Sequence, residues 1–165
     1  MNANIKIKNL KKKSGEHVGN IFVKSGSLKP INCPKELVSS AIDEFPLLFI
    51  IASVIKGVCK FSGINELRHK ESDRIKSIEI GLNQIGIKTK STIDSLKIFG
   101  NPNIKIEKTL KVYSKNDHRI AIAFFCLGLL LNGKIEIKNF QTVNTSFSKF
   151  LFIMKTVGAK FEIKK

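Results

Sequence analysis

The chain has 165 residues, 42% hydrophobic and 25% charged, which is enough for one domain with a core of its own. Its formal net charge of +16 raises nucleic acid or an anionic membrane surface as partners. The lysines, however, are spread almost evenly and travel with many Ile and Asn residues, as an AT-rich coding bias produces without any binding purpose.

In chain order, alternating apolar residues predict a strand at Ile5 to Lys8 and another at Ile21 to Lys24. Between them Lys11-Lys12-Lys13 beside Ser14-Gly15 reads as a solvated turn. Asp43-Glu44 before Pro46 opens a helix from Glu44 to Lys56, followed by a strand at Val58 to Phe61. A helix from Lys70 to Ile85 carries Ile75, Ile78, Leu82 and Ile85 as one buried stripe and closes on Gly86. A strand at Leu96 to Phe99, a helix from His118 to Leu131, a strand at Lys134 to Lys138 and a helix from Ser146 to Val157 complete the series.

Three places, at Met1 to Ile7, Leu82 to Lys88 and Met154 to Ile163, share one pattern, a helix end running through a small residue into a strand. They suggest an internally repeated α/β domain whose first copy is entered part-way. The Phe residues lie mostly in apolar runs such as Phe45 to Ile51 and Ile122 to Leu131, where core packing, not base stacking, is the default. Cys33, Cys59 and Cys126 are far apart and form no Cys-x-x-Cys pair, so neither a zinc site nor a disulfide framework is expected. A reduced, cytoplasmic setting fits. Ile120 to Leu131 is too short to span a bilayer, and the start lacks an apolar signal core.

Three charged clusters fall at predicted helix starts: Asp43-Glu44, Lys70-Glu71-Ser72-Asp73-Arg74, and Asn116-Asp117-His118-Arg119. A helix start presents unpaired N–H groups and the positive end of the dipole, so it attracts anions. Cations placed there call for an anion to join them, which makes Lys70, Arg74 and Arg119 candidates for holding phosphate or carboxylate. The plain alternative is that Asp43, Asp73 and Asp117 are caps and that Arg74 pairs with a surface neighbour. His17 and His69 have no partner at metal-ligand spacing.

The stretch Asp43-Glu44-Phe45-Pro46, the run from Glu66 to Arg74, the triplet Asp117-His118-Arg119 and Asn144-Thr145-Ser146-Phe147 together resemble the 5-enolpyruvylshikimate-3-phosphate synthases over nearly the whole chain. The resemblance implies an enolpyruvyl transferase-like α/β (α+β) fold of repeated βαβαββ units with helices packed inside sheets. Residues 1–165 would be the C-terminal part of such an enzyme, without its N-terminal half. The implied reaction transfers the enolpyruvyl group of phosphoenolpyruvate to the 5-hydroxyl of shikimate 3-phosphate, with no cofactor and no metal.

By the same resemblance Asp43 is the base at the target hydroxyl and Glu71 the acid at the enolpyruvyl carbon. Lys70 contacts the reacting oxygens and shikimate 3-phosphate, and Glu66 is a further contact to that substrate. Arg74 and Arg119 clamp phosphoenolpyruvate, while Asp117 and His118 orient the cluster. Thr145 stands where one branch of the family has a lysine; Ser148 replaces the proline of the other branch. The turn at Ile93-Asp94-Ser95 lacks the family's usual Asp-Gly. The whole enzyme is expected to be a cytoplasmic monomer with neither nucleic acid nor membrane as partner. Two other readings are a transferase of the UDP-N-acetylglucosamine type and a basic nucleic-acid-binding α/β module.

Overall fold

The computed structural model describes residues 1–164. Its first element is a hairpin of β1 (Asn4–Lys13) and β2 (Glu16–Lys24), joined where Lys13 pairs with Glu16. Ser14 and Gly15 have φ of 52° and 88°, and this double left-handed geometry matches the right-handed twist of a two-residue hairpin. The predicted solvated turn is therefore a hairpin tip, and the strands are longer than the alternation suggested.

From Ile31 to Gly100 the elements follow the order β-α-β-α-β-β. The first strand is a minimal strip: Asn32 bridges Lys60 in parallel, fixed by Lys60 N–H to Ile31 O and Cys33 N–H to Lys60 O, both 2.8 Å. Next come α1 (Val38–Ala41), a tight turn at Ile42–Glu44, α2 (Phe45–Ser53) and β3 (Gly57–Ser62). A 3-10 turn at Asn65–His69 leads to α3 (Arg74–Gln84), β4 (Thr89–Ser91) and β5 (Ser95–Gly100). These strands form an antiparallel sheet in the order β3-β5-β4. A second series follows: β6 (Leu110–Tyr113), α4 (His118–Leu130), β7 (Ile135–Lys138) parallel to β6, a 3-10 segment at Phe140–Thr145, and α5 (Phe150–Thr156). The expected α/β class is observed.

The apolar helices lie inside. Phe45, Phe49, Ile50 and Ala52 of α2 are buried, as are Ile120, Ala123, Phe124 and Leu127 of α4. Phe45, Phe49 and Phe61 meet edge to face with centroids 4.9 to 5.9 Å apart, the arrangement ring quadrupoles favour. On α3 the predicted stripe is buried at Ile75, Ile78 and Leu82 and half-buried at Ile85.

Four expectations need correction. The helix expected from Lys70 starts at Arg74, because Lys70 is extended (φ −84°, ψ −160°) and Asp73 caps the helix by accepting the Lys76 N–H. The helix expected from Ser146 starts at Phe150, after Phe140–Thr145 has turned as a 3-10 segment. Gly158 has φ of 92° and closes α5, with Ala159 N–H bonded back to Met154 O. Residues 159–164 form no strand, since no partner strand lies beside them among the described residues. The short strands β4 and β6 were not separated by the sequence pattern, since each is three or four residues of mostly polar or mixed character.

Candidate active site

The starts of α2, α3 and α4 converge, and they bring the three charged clusters to one place. Arg74, the first residue of α3, is the hub, with only 1% of its surface exposed. Its Nε donates to Asp117 Oδ2 at 2.9 Å, Nη1 to Asp43 Oδ1 at 2.9 Å and Nη2 to Glu71 Oε2 at 2.5 Å. Only a planar fork can serve three carboxylates from one buried position. Burial opposes the Arg74 charge, but the bond and charge of Asp117, then Asp43 and Glu71, outweigh it and hold the guanidinium protonated.

Asp117 is fully buried. It caps α4 by accepting Arg119 N–H at 2.9 Å, while its other oxygen takes Arg74 and the Ser72 hydroxyl at 3.0 Å. The capping interpretation is thus correct for Asp73 and Asp117, but both carboxylates also hold arginines. Asp43 makes no cap bond. Its carboxylate faces three cations: Arg74 at 2.9 Å, Arg119 at 3.8 Å and Lys70 at 3.9 Å. Partial burial pushes the Asp43 carboxyl up, and the Arg74 hydrogen bond with the charges of Arg119, Arg74 and Lys70 outweighs it, leaving the group below the usual carboxylate range.

Lys70 bonds Glu66 Oε1 at 2.5 Å. That hydrogen bond, together with the Glu66 and Asp43 charges, raises the ammonium above its ordinary value. Arg119 donates to Glu44 Oε1 at 2.7 Å and to the Asp43 carbonyl at 3.0 Å, and 30% of its side chain remains exposed. It lines a cleft of about 260 Å³ with His118, Asp43, Ser146 and Phe147. Thr145 stands apart, its hydroxyl donating to Thr142 O at 2.7 Å.

Of the predicted residues, Asp43, Glu66, Lys70, Glu71, Arg74, Asp117 and Arg119 form one network. His118 reaches the adjoining cleft. Glu44, Ser72, Arg68 and Asp94 were not singled out. Glu44, Ser72 and Arg68 were signalled by lying inside the quoted runs, and Asp94 only by its turn's departure from Asp-Gly. Among the described residues, no group of three or more His, Cys, Asp or Glu is placed to hold a metal ion, and no helix is long and apolar enough to cross a membrane.

The family model for EPSP synthase (3-phosphoshikimate 1-carboxyvinyltransferase) matches residues 1–154. The chain belongs to the EPSP synthase family. It is 41% identical over 155 residues to the 3-phosphoshikimate 1-carboxyvinyltransferase of Clostridium tetani, and 41% identical over 157 residues to that of Petrotoga mobilis. These alignments cover 94% and 95% of the chain but 35% and 36% of the relatives. The EPSP synthase structure from Acinetobacter baumannii superposes with a TM-score of 0.90 at 36% identity, covering 99% of this chain and 38% of that one. The enolpyruvyl transferase NikO from Streptomyces tendae, at 14% identity and a TM-score of 0.59, shares the fold. The chain therefore spans little more than a third of the EPSP synthases it matches.

Proposed function

We propose that this chain supplies part of the active site of a 3-phosphoshikimate 1-carboxyvinyltransferase, the C-terminal part in chain order. The observation that carries this reading is the meeting of Asp43, Lys70, Glu71, Arg74 and Arg119 at three helix starts in a chain of the EPSP synthase family.

In the proposed reaction Asp43 accepts the proton of the 5-hydroxyl of shikimate 3-phosphate as that oxygen bonds the central carbon of phosphoenolpyruvate. Glu71 delivers a proton to the methylene carbon, giving a tetrahedral intermediate. Phosphate then leaves as its C–O bond breaks, and Glu71 takes a proton back from the methyl group. General acid–base steps need both carboxylates within reach of one reacting centre. The shared Arg74 guanidinium fixes that spacing. Its donors are taken up by carboxylates, so Arg119, and Lys70 beside Asp43, are the cations best placed to meet the substrates.

Asp43, Glu44, Glu66, Glu71 and Asp117 are five carboxylates against the three cations Lys70, Arg74 and Arg119. Such a balance disfavours polyanionic substrates. We propose that further cations come from the N-terminal part of the family's polypeptide, and that the chain alone has no measurable turnover. The same proposal takes the completed enzyme to be a cytoplasmic monomer.

Amide chemical shifts recorded while phosphoenolpyruvate is added to the 165-residue chain test the reading. Changes confined to the starts of α2, α3 and α4 and to the cleft are expected. Turnover by this chain alone would overturn its proposed incompleteness, and salt-dependent binding to arbitrary duplex DNA without such shifts would favour the nucleic-acid reading.

A further inference from the structure

Arg68 lies within the charged run yet faces away from the Arg74 hub. Its Nε donates to Ile93 O at 3.0 Å, its Nη2 to Thr92 O at 2.5 Å, and its Nη1 to Asp73 Oδ2 at 2.8 Å. The other Asp73 oxygen accepts the Lys76 N–H and so caps α3. Arg68 therefore ties the start of α3 to a turn about twenty residues further along the chain.

That turn returns the tie through Asp94. Its Oδ2 accepts the Gly63 N–H and its Oδ1 the Asn65 N–H, both at 3.1 Å, and its carbonyl accepts the Ile64 N–H at 3.2 Å. Thr92 and Ser95 close the turn itself through Thr92 N–H to Ser95 O at 3.0 Å. One turn consequently grips both ends of the segment that carries Glu66, Lys70 and Glu71 and delivers Arg74 to its carboxylates. The departure from Asp-Gly noted in the sequence falls in this turn.

We propose that Arg68 is a positioning residue of the site, acting with Asp94 to hold the segment from Asn65 to Arg74 in register with Asp43 and Asp117. The link from Lys70 to Asp73 lies outside both the preceding 3-10 turn and α3, so its path is set by its anchors. Lysine cannot replace the arginine here, because a single ammonium cannot reach two carbonyls and a carboxylate in three directions. The importance of the held residues rests on the function proposed above, but the clamp is read from Arg74 without any substrate.

The experiment compares the 165-residue chain with its Arg68→Lys and Asp94→Asn variants. It follows three signals: thermal unfolding, exchange of the Arg74 Nε–H with water, and titration of the Asp43 carboxyl by NMR. Expected for Arg68→Lys is a folded chain in which the Arg74 Nε–H exchanges about tenfold faster, the scale of one lost charge-assisted hydrogen bond. Asp43 is then expected to titrate at higher pH than in the parent chain. Asp94→Asn, which loosens the other end, is expected to shift both signals the same way and gives the reading if Arg68→Lys does not fold. A lowered unfolding midpoint with both signals unchanged would show a merely structural role and overturn the proposal. Absence of phosphoenolpyruvate binding by the parent chain would count against the proposed function and leave these signals as informative as before.

Discussion

Arg74 and Asp117, 43 residues apart in sequence, form an ion pair out of contact with water, with Nε 2.9 Å from Oδ2 and relative side-chain exposures of 1% and 0%. Removing one member of such a pair strands the other charge in a medium that solvates it poorly. Asp117→Ala is expected to cost about 3–5 kcal/mol, read as a fall in the urea midpoint at constant slope. Arg74→Met combined with Asp117→Leu should recover much of that loss. About 1 kcal/mol should remain lost, because the α4 cap disappears with the carboxylate.

The depressed Asp43 carboxyl contributes to the acid side of the stability profile, as does that of Glu136. In the folded chain Asp43 releases its proton more readily than in the unfolded one, where a value near 3.9 is usual. Its contribution is therefore full above that value and is lost as pH falls through the lower folded value. Lys70 works at the other end: its raised value gives stability that is full below about 10.4 and lost as pH climbs through the folded value. Asp43→Asn is expected to make the acid limb shallower and to shrink the alkaline limb in part, because the Asp43 charge helps raise Lys70 while its bond to Glu66 remains. Unfolding midpoints measured from pH 2 to 11 check both limbs.

Arg119 is the cation that opens on the cleft. Arg119→Met is expected to remove the phosphoenolpyruvate-induced shifts at Ser146 and Phe147, weakening binding by about tenfold or more, the scale of one charge-assisted contact. Its effect on the unfolding midpoint should be small, because its partner Glu44 is largely exposed.

The class of fold was legible because the buried helices advertise themselves: the α3 stripe and the apolar run of α4 survive any reading frame of the pattern. The helix starts were legible to within four residues. Where they failed, Lys70 sits in a link tied to the distant Asp43, and Ser146 in a local turn, its N–H bonded back to Val143 O. The site was legible through charge placed against the helix dipole, which marked Arg74 and Arg119. What the pattern could not show was that Arg74 is already held by the distant Asp43 and Asp117, or that Asp94 grips Gly63 and Asn65 from about thirty residues away. Such ties depend on tertiary distance, and no local rule encodes them.

Gly81 offers a test of the helix packing that supports the site. It is buried on α3, and a Cβ there would collide with the ring of Phe124 in α4, itself 0% exposed. In an exposed helix Gly→Ala gains roughly 0.5–1 kcal/mol. Gly81→Ala should instead destabilise, since overpacking costs about 1–3 kcal/mol and the ring has no space to yield. Pairing it with Phe124→Leu should recover part of the loss. A stabilised single variant would contradict this account of the α3–α4 contact.

The hairpin presents an apolar face that nothing among the described residues covers. Ile5 pairs with Val23 and Ile7 with Ile21, and these four side chains are 53–69% exposed. The neighbouring face carries Lys6, Lys8 and Lys24, with the Lys8 ammonium 5.1 Å from the Phe22 ring centre. Apolar patches on paired strands with open edges favour association. The chain is therefore expected to self-associate with increasing concentration. Ile7→Lys with Ile21→Glu should suppress that association, because it places an opposite-charge pair where two aliphatic side chains now face water. The unfolding free energy should change by no more than about 0.5 kcal/mol per site, as for exposed positions generally. Sedimentation velocity across a concentration series separates the two outcomes. Unchanged association in the double variant would place the sticky surface elsewhere.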